Sequence, residues 1–315
     1  MDQIYIGCGG WQYFKSSGDP LINYSRVFNF VEVNTTFYQI PNKKTCKSWK
    51  DKVKNNHDFI FSVKCNQDLT HKYKLKPIEA SFDLFNKMKN ICESLNSSIL
   101  VFQTPKDLQL KLKTINEIDN FFSVIDTKEL QFVWELRGNE WKKNDILSKV
   151  ENLLEKYNIT HCVDYSKESP IYNNSELGYT RIFGLGAGNK YQFDDSEIEQ
   201  LNLKFNQSTQ QNKRVIVSFH TQRMVHDAAR AKEYNETGNL IGVSGKTGIK
   251  SFLDALNEYE KYPISKNELI MDHGWKIYDQ TNDSRQRMSK ILMKIDNKNY
   301  NNRTELIKEL KEVIK

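Results

Sequence analysis

The feature that most constrains the fold of this chain is a series of short apolar runs that alternate with helical patterns. Each run is rich in β-branched and aromatic residues and ends in polar residues or glycine, as buried strands do where they reach a loop. Eight runs occur, at residues 4–6, 30–34, 59–64, 99–103, 131–137, 160–164, 179–183 and 214–220. Strands that alternate with helices predict parallel βα units.

Eight consecutive βα units predict an α/β protein with a (β/α)8 TIM barrel over residues 1–235, a length close to the roughly 250 residues usual for this fold. The competing architecture is an open, doubly wound sheet. Its dinucleotide-binding fingerprint is absent, because residues 7–10 lack the spacing GxGxxG. The sequence therefore favours the closed barrel.

Residues 236–315 show helical patterns only, at 249–259, 284–294 and 303–314. Apolar side chains recur there at helical spacing, and they are Phe252, Leu253, Leu256, Tyr259, Ile291 and Leu292. We expect a helical C-terminal extension that packs on the barrel. Its basic residues, Arg285 and Arg287 among them, either extend a binding surface or belong to an extension that only caps the barrel.

Polar side chains stand at the predicted carboxyl ends of the strands, where TIM barrels carry their active sites. Period-two alternation places Glu32 with Asn34 on one face, and Glu135 with Arg137 likewise. The other polar strand ends are Lys64, Gln103, Asp164, Arg181 and His220. A self-contained ring of salt bridges would explain some of them. Because so many lie on one rim, a ligand site is the favoured interpretation.

Short blocks at these strand ends resemble the DUF72 (YecE-like) family. The blocks are residues 6–11, 31–38, 61–64 with Thr70-His71, 102–105, 135–137 with Trp141, Asp164, and 179–181. They span about residues 4–235 in the same order, and the resemblance implies a TIM barrel without an established activity. Gly138 and Phe183 stand where the family commonly has histidines, and His220 where it has an asparagine.

The cations of the rim predict a phosphate-bearing ligand, with DNA or RNA as the macromolecular form. Lys64, Arg137 and Arg181 would hold phosphate oxygens, since Lys and the Arg fork form strong charge-assisted contacts. Trp11 and Tyr38 would stack on a base or sugar. The remaining predicted ligand contacts are Asn34, Gln103 and His220.

Phosphodiester hydrolysis is the reaction that these residues suggest. Glu32 or Glu135 would be the general base, helped by His71 or by a metal-bound water, with Asp164 as a further carboxylate. The carboxylates and histidines have the chemistry to bind a divalent metal. A metal is not favoured, because the interleaved cations neutralise the carboxylates without one.

Two other functions stay open at the level of sequence. One is a non-catalytic nucleic-acid-binding protein that uses the same surface, and the absence of the two family histidines favours it. The other is a sugar or sugar-phosphate isomerase in which Glu32 and Glu135 move protons. The retained carboxylates favour an enzyme.

Charge and composition set the expected surroundings of the chain. The net charge of +6 permits contact with phosphates without demanding it. The cysteines form no CxxC pair, which disfavours a zinc ribbon and fits reduced thiols. No stretch approaches the ~20 apolar residues of a membrane span. We therefore expect a cytoplasmic protein with no membrane partner.

Overall fold

The computed structural model describes residues 3–125, 130–172, 174–256 and 261–314. The chain divides into two compact units. The first comprises Met1–Ile182 and Lys204–His220, and the second comprises Phe183–Leu203 and Thr221–Lys315. The predicted division into residues 1–235 and 236–315 stays a prediction.

The first unit is built on eight parallel strands. They are β1 (Gln3–Cys8), β2 (Phe30–Val33), β3 (Ile60–Lys64), β4 (Ile99–Thr104), β5 (Gln131–Leu136), β6 (Thr160–Cys162), β7 (Gly178–Ile182) and β8 (Arg214–Phe219). Their order in the sheet is β6-β5-β4-β3-β2-β1-β8-β7. A parallel bridge between Val163 and Thr180 joins the two outermost strands. The predicted (β/α)8 TIM barrel is confirmed.

Helices alternate with these strands. They are α1 (Pro20–Tyr24), α2 (Thr35–Tyr38), α3 (Lys43–Lys52), α4 (Glu79–Leu95), α5 (Leu112–Val124), α6 (Asn144–Lys156), α7 (Asp195–Thr209) and α8 (Met224–Thr237). Asp19 begins α1 by accepting hydrogen bonds from the amides of Leu21 and Ile22, and Asn42 begins α3 in the same way. A π-helix (Asp68–Lys72) and two 3-10 turns (Glu140–Lys142 and Ala187–Asn189) lie in the loops.

Alternation along the strands fills the barrel interior and positions the rim. The interior apolar cluster consists of Tyr5, Phe30, Ile99, Val101, Val133, Cys162, Leu177, Tyr179 and Ile216. Two residues further along β2 and β5, the same strand faces carry Glu32 and Glu135. The polar residues of the rim therefore lie next to this apolar layer, nearer the carboxyl ends of the strands.

The second unit has a core of its own. Its later elements are α9 (Gly248–Leu256), β9 (Ile264–Ser265), α10 (Lys266–His273), β10 (Ile277–Asp279), β11 (Arg285–Arg287), α11 (Ser289–Leu292), β12 (Asn299–Tyr300) and α12 (Arg303–Val313). Phe252, Leu256, Ile291 and Leu292 are buried in its apolar cluster, and Leu253 packs against it. Tyr259 lies outside the described residues. Packing of this region on the barrel stays a prediction.

The helix predicted over 284–294 is wrong for its first part. Arg285–Arg287 is a strand that pairs antiparallel with Ile277–Asp279, and a helix follows only at Ser289–Leu292. Arg285 and Arg287 meet acids of the same unit: Asp195 Oδ2 lies 3.2 Å from Arg285 Nη1, and Glu197 Oε2 lies 2.9 Å from Arg287 Nη2. These two arginines therefore form ion pairs within the unit and do not belong to a solvated basic face.

Within the described ranges, no helix combines the length and the apolar character needed to cross a membrane.

Candidate functional site

Arg181 lies at the centre of a buried ion-pair network at the carboxyl ends of the barrel strands. Its Nε donates to Oε2 of Glu32 at 3.1 Å, and its Nη2 donates to Oε1 of the same carboxylate at 3.0 Å. Its Nη1 donates to Oε2 of Glu135. Only 2% of the Arg181 side chain is exposed, and none of the Glu32 side chain. One guanidinium therefore joins carboxylates from β2 and β5, and we call these three residues with His220 the carboxylate network.

Mutual neutralisation sets the protonation of these groups. Burial alone would raise the pKa of each carboxyl, but the charge of Arg181, together with the neighbouring cations and hydrogen-bond donors, outweighs burial and lowers the pKa of both Glu32 and Glu135. Burial likewise disfavours the charged guanidinium, but the two carboxylates outweigh it and raise the pKa of Arg181. All three groups are therefore charged at neutral pH.

His220, which directly follows β8, completes the carboxylate network. Its Nε2 accepts a hydrogen bond from Arg181 Nε at 3.2 Å and lies 3.0 Å from Ser218 Oγ. Burial, and next the charge of Arg181, lower the pKa of His220, so the ring is neutral and the guanidinium is the donor. A Cβ at Gly9 would lie only 2.2 Å from His220 Cε1. Glycine is required at position 9 because the imidazole approaches the backbone so closely.

Neutral donors hold each carboxylate from another strand. Tyr179 Oη donates to Glu32 Oε2 at 2.8 Å and lies 2.8 Å from Ser62 Oγ. Gln103 Nε2 lies 3.0 and 2.9 Å from the two carboxylate oxygens of Glu135. The orientation of both carboxylates is therefore fixed by side chains of the barrel itself.

Lys64, the last residue of β3, is buried with no hydrogen-bond acceptor for its ammonium among the described residues. Its Nζ lies 4.1 Å from the centroid of the Phe37 ring. Burial, and next the charge of Arg181, lower the pKa of Lys64 to about 7. Nζ does not belong to the fully buried side-chain atoms that lack a hydrogen-bond partner, so part of its surface is exposed to solvent. The amine is therefore reachable and changes its charge near neutral pH.

His71 contacts the same aromatic side chain as Lys64. Its ring centroid lies 5.0 Å from that of Phe37, at an interplanar angle of 81°. Its Nδ1 lies 2.9 Å from Thr70 Oγ1. Burial, and next the charge of Lys64, lower the pKa of His71, so its imidazole is neutral at pH 7. Lys64 and His71, two groups that can exchange protons, therefore both contact the Phe37 ring.

Arg137 follows β5 and is the more exposed of the two remaining cations. Of its side chain, 37% is exposed, and its Nε lies 3.9 Å from Glu135 Oε1, which is too far for a hydrogen bond. No described residue supplies a hydrogen-bond acceptor to its guanidinium. The donors of Arg137 are therefore free to meet a ligand.

Two other predicted site residues, Asn34 and Asp164, hold the loops at the ends of their strands. Asn34 Nδ2 donates to the Gly9 carbonyl at 2.8 Å. Asp164 Oδ1 accepts from the amide of Ser166 at 2.9 Å, and its Oδ2 pairs with Lys167 at 3.0 Å. The Asn34 contact joins the loop after β2 to the loop after β1, and the Asp164 contacts order the loop after β6.

The two aromatic residues predicted to stack on a ligand differ in exposure. Trp11 is 9% exposed, and its ring packs edge-on against Trp49 at a centroid distance of 5.1 Å. Tyr38 is 73% exposed. Trp11 therefore packs against Trp49, and the stacking roles of Trp11 and Tyr38 stay predictions.

Three polar residues of the site were missed at the level of sequence. Each stands two positions before a predicted site residue, on the same face of its strand. The pairs are Ser62 with Lys64, Tyr179 with Arg181, and Ser218 with His220. Period-two alternation, the signal that joined Glu32 to Asn34, would have found all three.

In the part of the chain that the structure describes, no three His, Cys, Asp or Glu side chains lie close enough together to hold a metal ion. Glu32 and Glu135 instead meet at a guanidinium. Their oxygens accept hydrogen bonds from protein donors.

Comparison with known proteins shows the family of this barrel. The family model described as "Protein of unknown function DUF72" matches residues 5–241, a range that contains every site residue given above. The chain belongs to the DUF72 family. A DUF72 family protein from Enterococcus faecalis V583 is 21% identical, with 74% of this chain and 97% of that chain covered and a TM-score of 0.58.

A DUF72 family protein from Thermotoga maritima MSB8 is 18% identical, with 75% of this chain and 98% of that chain covered and a TM-score of 0.58. At these identities the likeness to solved DUF72 structures shows the fold. No curated protein matches the chain.

One departure of this DUF72 protein from the expected family pattern has a structural reason. Gly138, where a histidine was expected, has a φ of +86°, and a Cβ there would lie 2.6 Å from the Lys106 carbonyl oxygen. A histidine would require both a strained backbone and a displaced neighbouring loop. Glycine at position 138 therefore allows the backbone conformation that the chain adopts after Arg137.

Proposed function

We propose that the rim of this DUF72 barrel binds a phosphate-bearing ligand, with Arg137 as the direct phosphate contact and Lys64 as a second positive charge beside it. The observation that carries the proposal is the contrast among the three cations. Arg181 is fully engaged by carboxylates, whereas Arg137 and Lys64 have no hydrogen-bond acceptor among the described residues. Arginine is suited to bidentate contact with phosphate oxygens.

The charges around the site support an anionic ligand. With Lys64 protonated, the three cations exceed the carboxylates of Glu32 and Glu135 by one positive charge. An anion bound nearby would raise the pKa of Lys64 and would hold its proton in place. Arg181 is not a phosphate contact in this proposal. It keeps the two carboxylates from repelling the ligand.

Nucleic acid is the ligand class that we favour, because it contains both phosphate groups and planar bases that can stack on an aromatic side chain. Tyr38 offers an exposed ring that follows β2. The helix after it, α3, carries exposed lysines at positions 43, 44, 47 and 50. Proteins that bind single strands without sequence preference combine aromatic side chains, which stack on the bases, with positively charged groups, which contact the phosphate backbone.

Phosphodiester hydrolysis would extend this proposal if Glu135 activates a water molecule. Of the two carboxylates, Glu135 is the more accessible, with 12% of its side chain exposed against none for Glu32. Its lowered pKa keeps it ionised at neutral pH, as a base must be. The firm hold of Arg181 and Gln103 on the same carboxylate weakens it as a base, which favours the non-catalytic binder.

Fluorescence polarisation with labelled single- and double-stranded oligonucleotides, at several salt concentrations, tests the proposal. Arg137→Gln should weaken binding about 10- to 100-fold, as expected for a lost charge-assisted contact. It should also lower the salt slope by about one phosphate contact. Arg214→Gln is the matched control. It removes the same charge at the first residue of β8, where Arg214 donates to Gln131 at 2.6 Å at the opposite end of the strands.

Equal losses in the two variants would contradict a site at Arg137. Cleavage of the oligonucleotide, followed with and without Mg²⁺, Mn²⁺ or Zn²⁺ and lost in Glu135→Gln, would select the hydrolase. Salt-dependent binding without cleavage would select the binder. Binding of sugar phosphates alone would remove nucleic acid from the proposal and leave the isomerase.

A further inference from the structure

Lys64 differs from the surface lysines of this chain in a way that phosphate binding alone does not need. It is 8% exposed, its Nζ is reachable by solvent, and no described residue accepts a hydrogen bond from it. Lys54, by contrast, is exposed at the surface. A buried amine with a free lone pair is the form of lysine that reacts with carbonyl carbons.

We propose that Lys64 is a nucleophile that condenses with an aldehyde or ketone group of the phosphate-bearing ligand to form an imine. The phosphate part of this inference rests on the proposed function, with Arg137 holding that group. The amine part rests on the geometry of Lys64 itself. The two parts assign the substrate class as a compound that carries both a carbonyl group and a phosphate.

The reaction balances without any further reagent. The lone pair of the neutral Nζ attacks the carbonyl carbon, a C–N bond forms, and the π electrons of the C=O bond move to oxygen. The nitrogen loses one proton and the oxygen gains one, which gives the carbinolamine. The nitrogen then loses its second proton, the oxygen gains a second and leaves as water, and a C=N bond remains.

The surroundings of Lys64 favour both stages of this reaction. Before attack, the neighbouring guanidinium of Arg181 and burial favour the neutral amine. After condensation, the protonated imine is a cation, and the carboxylates of Glu32 and Glu135 attract it. The Phe37 ring, 4.1 Å from Nζ, gives the amine an apolar wall. The charged or titratable groups that couple to Lys64 are Arg181, Arg137, Glu32, Glu135, His71 and His220.

Two sources of ligand share this chemistry. One is the open-chain form of a small sugar phosphate, and the other is an abasic site in a nucleic acid, whose deoxyribose is an aldehyde between phosphates. We therefore use four probes. Glyceraldehyde 3-phosphate is compared with glyceraldehyde, and an oligonucleotide with an abasic site is compared with one that carries the tetrahydrofuran analogue, which has no aldehyde.

Each probe is incubated with the full chain, the imine is reduced with sodium borohydride, and the adduct is located by peptide mapping with mass spectrometry. We expect the phosphate-bearing aldehydes to label Lys64 at least about tenfold faster than exposed Lys54 of the same molecule, a difference equivalent to about 1.4 kcal/mol. The rate should rise through pH 7. Lys64→Arg, which keeps the charge, should lose this adduct, and Lys54→Arg should not.

The outcomes separate this inference from the proposed function. Equal labelling of Lys64 by glyceraldehyde and its phosphate, unchanged by Arg137→Gln, would support the nucleophile and overturn the phosphate site. Oligonucleotide binding that Arg137→Gln weakens, without any reducible adduct at Lys64, would support the phosphate site and overturn the nucleophile. Labelling of Lys64 and Lys54 at equal rates in the wild-type chain would also overturn it, whether or not the variants fold.

Discussion

Arg181 and Glu32 form a bidentate ion pair inside the barrel: Nε and Nη2 of the arginine donate to the two carboxylate oxygens at 3.1 and 3.0 Å. The two residues are 149 positions apart in the chain. Because the same guanidinium also binds Glu135, one side chain connects β7 with β2 and β5. This pairing decides which cations of the rim are left for a ligand.

Removal of the shared cation should destabilise the barrel. Arg181→Met leaves two buried carboxylates without a partner, and we expect the free energy of unfolding at pH 7 to fall by about 3–5 kcal/mol. The control is Lys213→Met, which removes one side of an exposed ion pair with Glu176 at 2.6 Å and should cost less than about 1 kcal/mol. Urea unfolding measures both. A loss in Arg181→Met as small as that in the control would show that the network is not structural.

Acid should weaken the fold through the same carboxylates. Glu135 has a folded-state pKa below its unfolded value, so its contribution is present above the unfolded pKa of about 4.3 and is lost as the pH falls through the folded pKa. Glu135→Gln should therefore show a shallower decline in unfolding free energy below about pH 4.5. Glu176→Gln, at an exposed carboxyl, is the control. Identical slopes in all three proteins would argue against an ionised, paired Glu135.

Lys64 should also make stability rise with pH, but in the alkaline range. Its folded-state pKa is about 7 and its unfolded value about 10.4, so between these values the unfolded chain binds more protons than the native one. Stability should then rise with pH, by at most about 1.4 kcal/mol for each pH unit, relative to Lys64→Met. Lys54→Met, which removes an exposed lysine, is the control. A Lys64→Met profile that runs parallel to the wild type would place the Lys64 amine in contact with water.

Gly9 should be intolerant of a side chain. Its Cβ would lie 2.2 Å from His220 Cε1 and 2.6 Å from Asn34 Nδ2, so Gly9→Ala should cost about 1–3 kcal/mol by overpacking. At Gly245, an added Cβ meets no atom within 4 Å, and Gly245→Ala is the control. The melting temperatures of the two variants, measured by thermal unfolding, test this expectation. Equal melting temperatures would mean that the imidazole can move aside at little cost.

The sequence predicted the barrel and its rim because strand alternation is a local property. Glu32 and Asn34, or Glu135 and Arg137, share a face whatever the rest of the chain does. A different local rule, helical periodicity, failed at 284–294, where the strand Arg285–Arg287 replaced the first part of the expected helix. There the ion pairs with Asp195 and Glu197 outweigh the helical pattern.

The partners of the site residues are long-range facts that no local pattern contains. Arg181 was predicted to contact phosphate, yet the fold surrounds it with two carboxylates and an imidazole. The edge contact of Trp11 with Trp49 is another such long-range fact, and its predicted stacking on a ligand stays a prediction. Charge type and strand position predicted a polar rim. Only the assembled barrel distinguishes the engaged cation from the available ones.

The most direct test of a phosphate site at Lys64 and Arg137 is the pKa of the Lys64 amine in the presence and absence of inorganic phosphate. Chains labelled with ¹³C at the lysine ε-carbons are titrated by NMR, and Lys64→Met assigns the signal. We predict that Lys64 titrates near pH 7 in the free protein and at higher pH with phosphate, and that Arg137→Gln reduces this shift. A Lys64 signal that titrates at the same pH with and without phosphate would contradict the account.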